Sequence, residues 1–95
     1  MDDLEFILWS GEMDSGVPTL DVHGFSVIDA LHELDFFIDR SLVREGRVVK
    51  IIHGAGTGAL RAAILRVLAS DRRIRGFRDS QRPGEGGAVL YAVLA

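Results

Sequence analysis

Two of the three histidines in the chain, His23 and His53, are each followed directly by glycine. An imidazole can take or give a proton near neutral pH. A glycine beside it permits positive φ and lets another molecule approach the backbone closely. His53 opens the run His53-Gly54-Ala55-Gly56-Thr57-Gly58, with an apolar strand-like stretch at 47–52 before it and an amphipathic helical stretch at 59–69 after it. A strand, a tight glycine turn and a helix start place N–H groups and an imidazole on one edge of a sheet. The first N–H groups of a helix have no partner within it and favour an anion. The chemistry that suits this run is contact with a phosphate. Gly54, Gly56 and Gly58 would let N–H groups reach it, and Thr57 is the expected N-cap. His53 and Arg61 would add donors, and Lys50, three residues before His53, would add charge.

The second group is Asp21 with His23. Residues 19–22 read as a short strand ending at His23-Gly24, with Asp21 and His23 on one side and Leu20 and Val22 on the other. His23 is a candidate general acid or base. Alternation alone does not establish a hydrogen bond between Asp21 and His23. Asp21 could instead bind a divalent ion, Mg or Mn, orient a substrate water, or cap the turn at Gly24-Phe25. Either histidine alone could be a turn residue bonded to a backbone carbonyl. Together, at two strand ends, they favour a shared site. His32 lies within a predicted helix away from both turns and reads as a surface or packing residue. No Lys-Ser/Thr pair follows the glycines, so the run is not a nucleoside-triphosphate loop. A chain of 95 residues has no room for the second half of a dinucleotide fold. Two histidines and one aspartate at these spacings do not make a structural zinc site.

The elements that must hold these groups fit one domain with one core. Hydrophobic residues make up 47% of the chain, which argues against disorder. Without cysteine there is no disulfide and no thiolate metal site. No apolar run reaches membrane-spanning length and no signal-peptide pattern opens the chain, so a cytoplasmic location is expected. The formal charge is −3, but five acidic residues and no basic ones lie in residues 1–16. The remainder holds 11 basic and 9 acidic residues, the latter being 14 less those five. Arg72, Arg73, Arg75, Arg78 and Arg82 crowd together. They admit a nucleic-acid partner, or they simply solvate an edge strand.

Residues 1–18 form an acidic and apolar N-terminal segment. Its stretch from Leu4 to Trp9 is a strand or short helix laid over the domain, or a docking peptide for a protein partner. An intramolecular cover is expected, because that much exposed apolar surface is a liability. A helix capped by Ser26, with Asp29 in a weak capping box, should run to about residue 44. Val27, Ala30, Leu31, Leu34, Phe37, Ile38 and Leu42 form its apolar stripe, and Gly46 stops it. Leu60, Ala63, Ile64, Val67 and Leu68 give the next helix its buried face. Residues 74–78, with charges and an internal glycine, suit a sheet edge. Residues 81–87 form a flexible connection. Residues 88–94 are apolar in both directions and belong in the sheet interior. The order is β-α-β-α-β-β, with the last two strands antiparallel and both helices on one face. The second face would be open to polar groups or a partner.

Leu20-Asp21-Val22-His23-Gly24 resembles the Leu-Asp-Leu-His-Gly signature of the small MutS-related (Smr) domain family. His53-Gly54-Ala55-Gly56-Thr57-Gly58, followed by Ala59-Leu60-Arg61, is similar to that family's second signature. Residues 84–94 resemble its glycine-rich turn and final strand, shortened here to Gly86-Gly87-Ala88-Val89. The resemblance covers roughly residues 19–94, and the domain itself is expected to span residues 19–95. It implies an α/β, two-layer βαβαββ sandwich with a four-stranded mixed sheet of order 1-2-4-3, similar to the carboxyl-terminal domain of bacterial translation initiation factor three. It implies an endonuclease that nicks or cuts branched or single-stranded DNA, or RNA, with Asp21, His23 and His53 in the site. Arg75, Arg78 and Arg82 join the glycine turn, Lys50 and Arg61 as expected nucleic-acid contacts. A non-catalytic DNA-, RNA- or ribosome-binding module and a protein-interaction domain are the alternatives.

Overall fold

The computed structural model describes residues 2–44 and 47–95. The helix stop expected at Gly46 lies outside the described residues. The elements run α1 (Asp3–Glu12), β1 (Thr19–Asp21), α2 (Val27–Leu42), β2 (Val48–Ile52), α3 (Ala59–Ser70), β3 (Ile74–Asp79) and β4 (Val89–Leu94). The four strands form one sheet in the order β1-β2-β4-β3. β1 and β2 are parallel, and β4 pairs antiparallel with both β2 and β3. The expected βαβαββ core and its strand order are therefore present.

The strand sequences explain this order. Every residue of β4 is buried, because the strand has neighbours on both sides and covered faces above and below. β3 carries Arg75 and Arg78 and takes an edge, where its register slips between Ile74 and Gly76. Alternation along the strands divides the apolar residues into two cores. Leu20, Val49, Ile51, Leu90 and Ala92 meet Leu34, Ile38, Ile64 and Leu68 of α2 and α3. Val48, Tyr91 and Val93 point the other way and meet Leu8 of α1.

The helices start as their caps direct. The Ser26 hydroxyl accepts the Asp29 N–H at 3.2 Å and begins α2. Ala30, Leu34, Phe37, Ile38 and Ser41 are buried, whereas the expected stripe members Val27 and Leu42 are 36% and 40% exposed. Position 41, not 42, continues the three-and-four spacing from Leu34 and Phe37, so the small Ser41 takes the inward place. α3 starts at Ala59, as expected. Its N-cap is Gly58, at φ 92°, and not Thr57, whose hydroxyl instead accepts the Ala59 N–H at 3.4 Å. Only a residue without Cβ takes that left-handed turn cheaply.

The second sheet face is not open. Residues 3–12 form α1, capped by the Asp2 carboxylate accepting the Glu5 N–H at 2.8 Å. Leu4, Ile7 and Leu8 pack on the sheet at helical spacing. A Cβ on Gly11 would collide with Val48, and one on Gly76 with Leu4 at 2.5 Å, so helix and sheet meet closely. Phe6 and Trp9 remain 56% and 45% exposed, so only half of the apolar segment faces outward. No helix among the described residues is long and apolar enough to cross a membrane.

Candidate functional site

β1 and β2 run in the same direction, so their carboxyl ends reach one rim. The Val22 N–H donates to the Ile52 carbonyl at 2.8 Å and ties those ends together. Gly54 has φ 84°, and a Cβ there would lie 3.0 Å from the Cβ of His23. The two histidine-glycine turns are thus in contact. Between them and the first turns of α2 and α3 lies a cavity of about 520 Å³. Ser26 and Val27 line it from one helix start, and Gly58, Ala59 and Arg61 from the other. Two helix N-termini facing one cavity give it a positive local potential.

The histidines occupy this rim in opposite ways. The side chain of His23 is 70% exposed, and its Nδ1 lies 2.6 Å from Asp21 Oδ1. The same carboxylate oxygen accepts the His23 backbone N–H at 3.1 Å. Asp21 therefore does bond His23 directly, beyond what alternation established, because the chain turns immediately after β1. Hydrogen bonds from His23 hold the Asp21 carboxyl below the usual carboxylate range. A carboxylate can only accept, so Nδ1 carries a proton, and in a neutral ring Nε2 is left as the acceptor on the exposed side. The expected cap of the Gly24-Phe25 turn is made instead by backbone, from the Phe25 N–H to the Val22 carbonyl at 3.0 Å.

His53 is only 3% exposed. Its Nδ1 lies 2.8 Å from the Gly54 carbonyl, which fixes the proton on Nδ1. Its Nε2 is buried with no partner among the described residues. Burial lowers its pKa from the ordinary 6.5, and the nearby Arg61 charge acts in the same direction. His53 is thus a neutral ring that packs under the glycine turn.

The remaining predicted residues divide by strand face. Gly56 and Thr57 are exposed and line the cavity with Gly54 and Gly58. Arg61 also reaches it, but its guanidinium is paired with Asp79 at 3.2 and 2.6 Å. Lys50 is not brought to the rim. An odd separation from His53 along β2 turns it to the α1 face, where its Nζ meets Glu85 at 2.6 Å. Arg78 joins it there, bonded to the Glu12 carboxylate at 3.3 and 3.4 Å, and Arg82 donates to the Glu12 carbonyl at 3.3 Å. Arg75 is exposed on β3, the edge opposite β1. His32 is exposed on α2. Among the described residues, no group of three or more His, Cys, Asp or Glu side chains comes together around a metal position.

One residue went unnoticed in the sequence. The Ala88 carbonyl accepts the N–H groups of both His53 and Gly54, at 2.9 and 3.1 Å. It anchors the glycine turn from the start of β4. A backbone contact of this kind leaves no side-chain signal.

The family model described as Smr domain matches residues 20–95. Similar sequences include the protein named Endonuclease MutS2 of Symbiobacterium thermophilum, 43% identical over 78 residues, covering 81% of this chain and 10% of that protein. Endonuclease MutS2 of Thermus thermophilus is 39% identical over 77 residues, with 81% and 10% covered. The chain thus spans about a tenth of the length of these relatives. Among solved structures, the Smr domain of Thermus thermophilus MutS2 superimposes with a TM-score of 0.78 at 36% identity, over 83% of this chain and 99% of that one. YdaL of Escherichia coli, a stand-alone small MutS-related protein, gives a TM-score of 0.84 at 22% identity, over 97% of this chain and 74% of that one.

Proposed function

The chain belongs to the Smr domain family, and from that premise we propose that it holds a nucleic-acid phosphate at the β1–β2 rim and cleaves the phosphodiester there. The observation that carries this reading is the exposed His23, bonded to Asp21 on the wall of a cavity that two helix starts also face. Cleavage requires an activated nucleophile, stabilisation of charge on the phosphoryl group and a proton for the leaving oxygen. With Nδ1–H held by Asp21, His23 Nε2 takes the proton from an attacking water as its oxygen bonds to phosphorus, and the P–O bond to the leaving oxygen breaks, that oxygen taking its proton from solvent. The N–H groups of the turn from Ala55 to Gly58 and the starts of α2 and α3 face the phosphoryl oxygens, the Gly54 N–H being held by the Ala88 carbonyl. His53 shapes the turn from beneath and Arg61 borders the cavity.

Among the described residues, the carboxylate beside His23 is that of Asp21, and its Oδ1 is already engaged by His23. The described residues do not form a cage for Mg²⁺ or Mn²⁺, and no step is routed through either ion. Relatives named endonucleases add support for cleavage as the reaction class.

One observation favours a second reading, a nucleic-acid-binding module without turnover. The rim exposes a single imidazole, because His53 is sealed below it. A comparison of turnover separates the two. Supercoiled plasmid, branched DNA and structured RNA are incubated with the full chain and with His23→Ala, each with and without Mg²⁺ or Mn²⁺. Cleavage requires products from the wild type that the variant does not make. Salt-dependent binding with no products in either protein establishes the module.

A further inference from the structure

α1 falls before the residues matched by the family model. The Smr domain of Thermus thermophilus MutS2 aligns over 83% of this chain, whereas the stand-alone Escherichia coli protein aligns over 97%, which takes in the helix. The end of α1 does more than fill the apolar face. Glu12, its last residue, is only 3% exposed, and its carboxylate reaches into the loop between β3 and β4. Glu12 Oε1 accepts the Gln81 N–H at 2.6 Å and lies 3.2 Å from the Ser80 hydroxyl. Burial alone would raise the pKa of this carboxyl. The bonds from Gln81, Arg78 and Ser80 outweigh it and hold the group below its ordinary 4.5.

From Ser80 the contacts lead to the rim. The Ser80 hydroxyl also lies 2.7 Å from Glu85 Oε1, and accepts the Arg82 N–H at 3.1 Å. Lys50 and the Tyr91 hydroxyl donate to the same Glu85 carboxylate at 2.6 and 3.2 Å. The Glu85 carbonyl accepts the Ala88 N–H at 3.1 Å, and Ala88 in turn holds the amides of His53 and Gly54. Lys50, Tyr91 and Arg78 are register neighbours on three adjacent strands, so the sheet itself fixes the base of this cluster.

We propose that Glu12 is a positioning residue for the histidine rim. It fixes the β3–β4 loop, and through Ala88 it sets the glycine turn beside His23. The helix that lies outside the family match is thereby a working part of the site, although it touches no substrate. This inference rests on the rim being the functional site, but its physical content is a coupling between α1 and the His53-Gly54 amides.

Amide hydrogen exchange on the full chain tests it without substrate. The wild type is compared with Glu12→Ala, Glu12→Gln and Ser80→Ala. The expected result is exchange faster by about tenfold at Gln81, His53 and Gly54 in Glu12→Ala, with Ala30 of α2 and Ala62 of α3 within about twofold. Glu12→Gln restores most of the protection, because its amide oxygen still accepts the Gln81 N–H. Ser80→Ala, which removes the bridge while keeping α1 seated, loosens His53 and Gly54 but leaves Phe6 of α1 protected. Uniform acceleration at every site overturns the proposal, since Glu12 would then serve global stability alone. Acceleration that stops at Gln81 also overturns it, since the loop would not reach the turn. If Glu12→Ala does not fold, Ser80→Ala and Glu12→Gln decide by the same criteria. These outcomes are independent of whether His23→Ala abolishes cleavage, so the coupling and the nuclease reading fail separately.

Discussion

His23 and His53 both lie just past the end of a parallel strand and both precede a glycine at positive φ, yet their rings lie in opposite environments. One is exposed and held by a carboxylate; the other is buried and bonded to its neighbour's carbonyl. The difference comes from strand alternation. His53 continues the inward set of Val49 and Ile51, whereas His23 follows Val22 and continues the outward set with Asp21. A repeated dipeptide therefore does not mean a repeated role. The exposed ring is open to solvent at the rim, as the proposed proton transfer requires, and the buried one packs beneath the turn.

The largest expected effect breaks the pair apart in activity. Replacing His23 with Ala should lower cleavage by about a hundredfold or more. Its stability in denaturant should change by less than about 0.5 kcal/mol, because the ring is exposed. A cooperative unfolding curve that moves with the loss of cleavage would make His23 a structural residue like its counterpart. His53→Ala should behave the other way, losing about 2–3 kcal/mol of stability as a buried ring and its hydrogen bond are removed. Chemical denaturation measures this directly, and an unchanged midpoint would remove the contrast.

Gly54→Ala probes where the two turns touch. A Cβ at φ 84° is strained and lies 3.0 Å from the His23 Cβ. A loss of about 1–2 kcal/mol is expected, with His23 resonances displaced in NMR spectra. A variant with wild-type stability and spectra would show that the turns are not in contact.

The smallest effect is in pH dependence. The folded-state pKa of His53 is lowered from 6.5. Between those two values the unfolded chain binds more protons at this position. The stabilising contribution is therefore complete above pH 6.5 and is lost as pH falls through the folded value. Nitrogen NMR should show His53 unprotonated at Nε2 at pH 6.5 and somewhat below. A ring that protonates at 6.5 or above would place it in solvent.

Much of the fold was legible because it is local. Ser26, the helical stripe of α2 and the doubly apolar β4 each carry their signal within a few residues. The rim was legible too, since two parallel strands ending in histidine and glycine must share an edge once they pair. α1 was harder to read. Phe6 and Trp9, both exposed, blur the inward spacing of Leu4, Ile7, Leu8 and Gly11. The burial of His53 and the placing of Lys50 on the opposite face follow from alternation carried one step further along β2. The partners of the basic residues do not follow from any local pattern. Arg78 finds Glu12 across 66 positions and Arg61 finds Asp79 across 18, so charges that look free in the sequence are engaged in the fold. Ala88 acts through its backbone and is silent in sequence.

The most direct measurement is a pH–rate profile of cleavage set against NMR titration of the His23 ring in the same protein and in Asp21→Asn. A limb of the profile should follow the His23 titration in both proteins and be missing from His23→Ala. A limb that persists in His23→Ala, or that stays in place when Asp21→Asn moves the ring's titration, would contradict a proton-transfer role for His23.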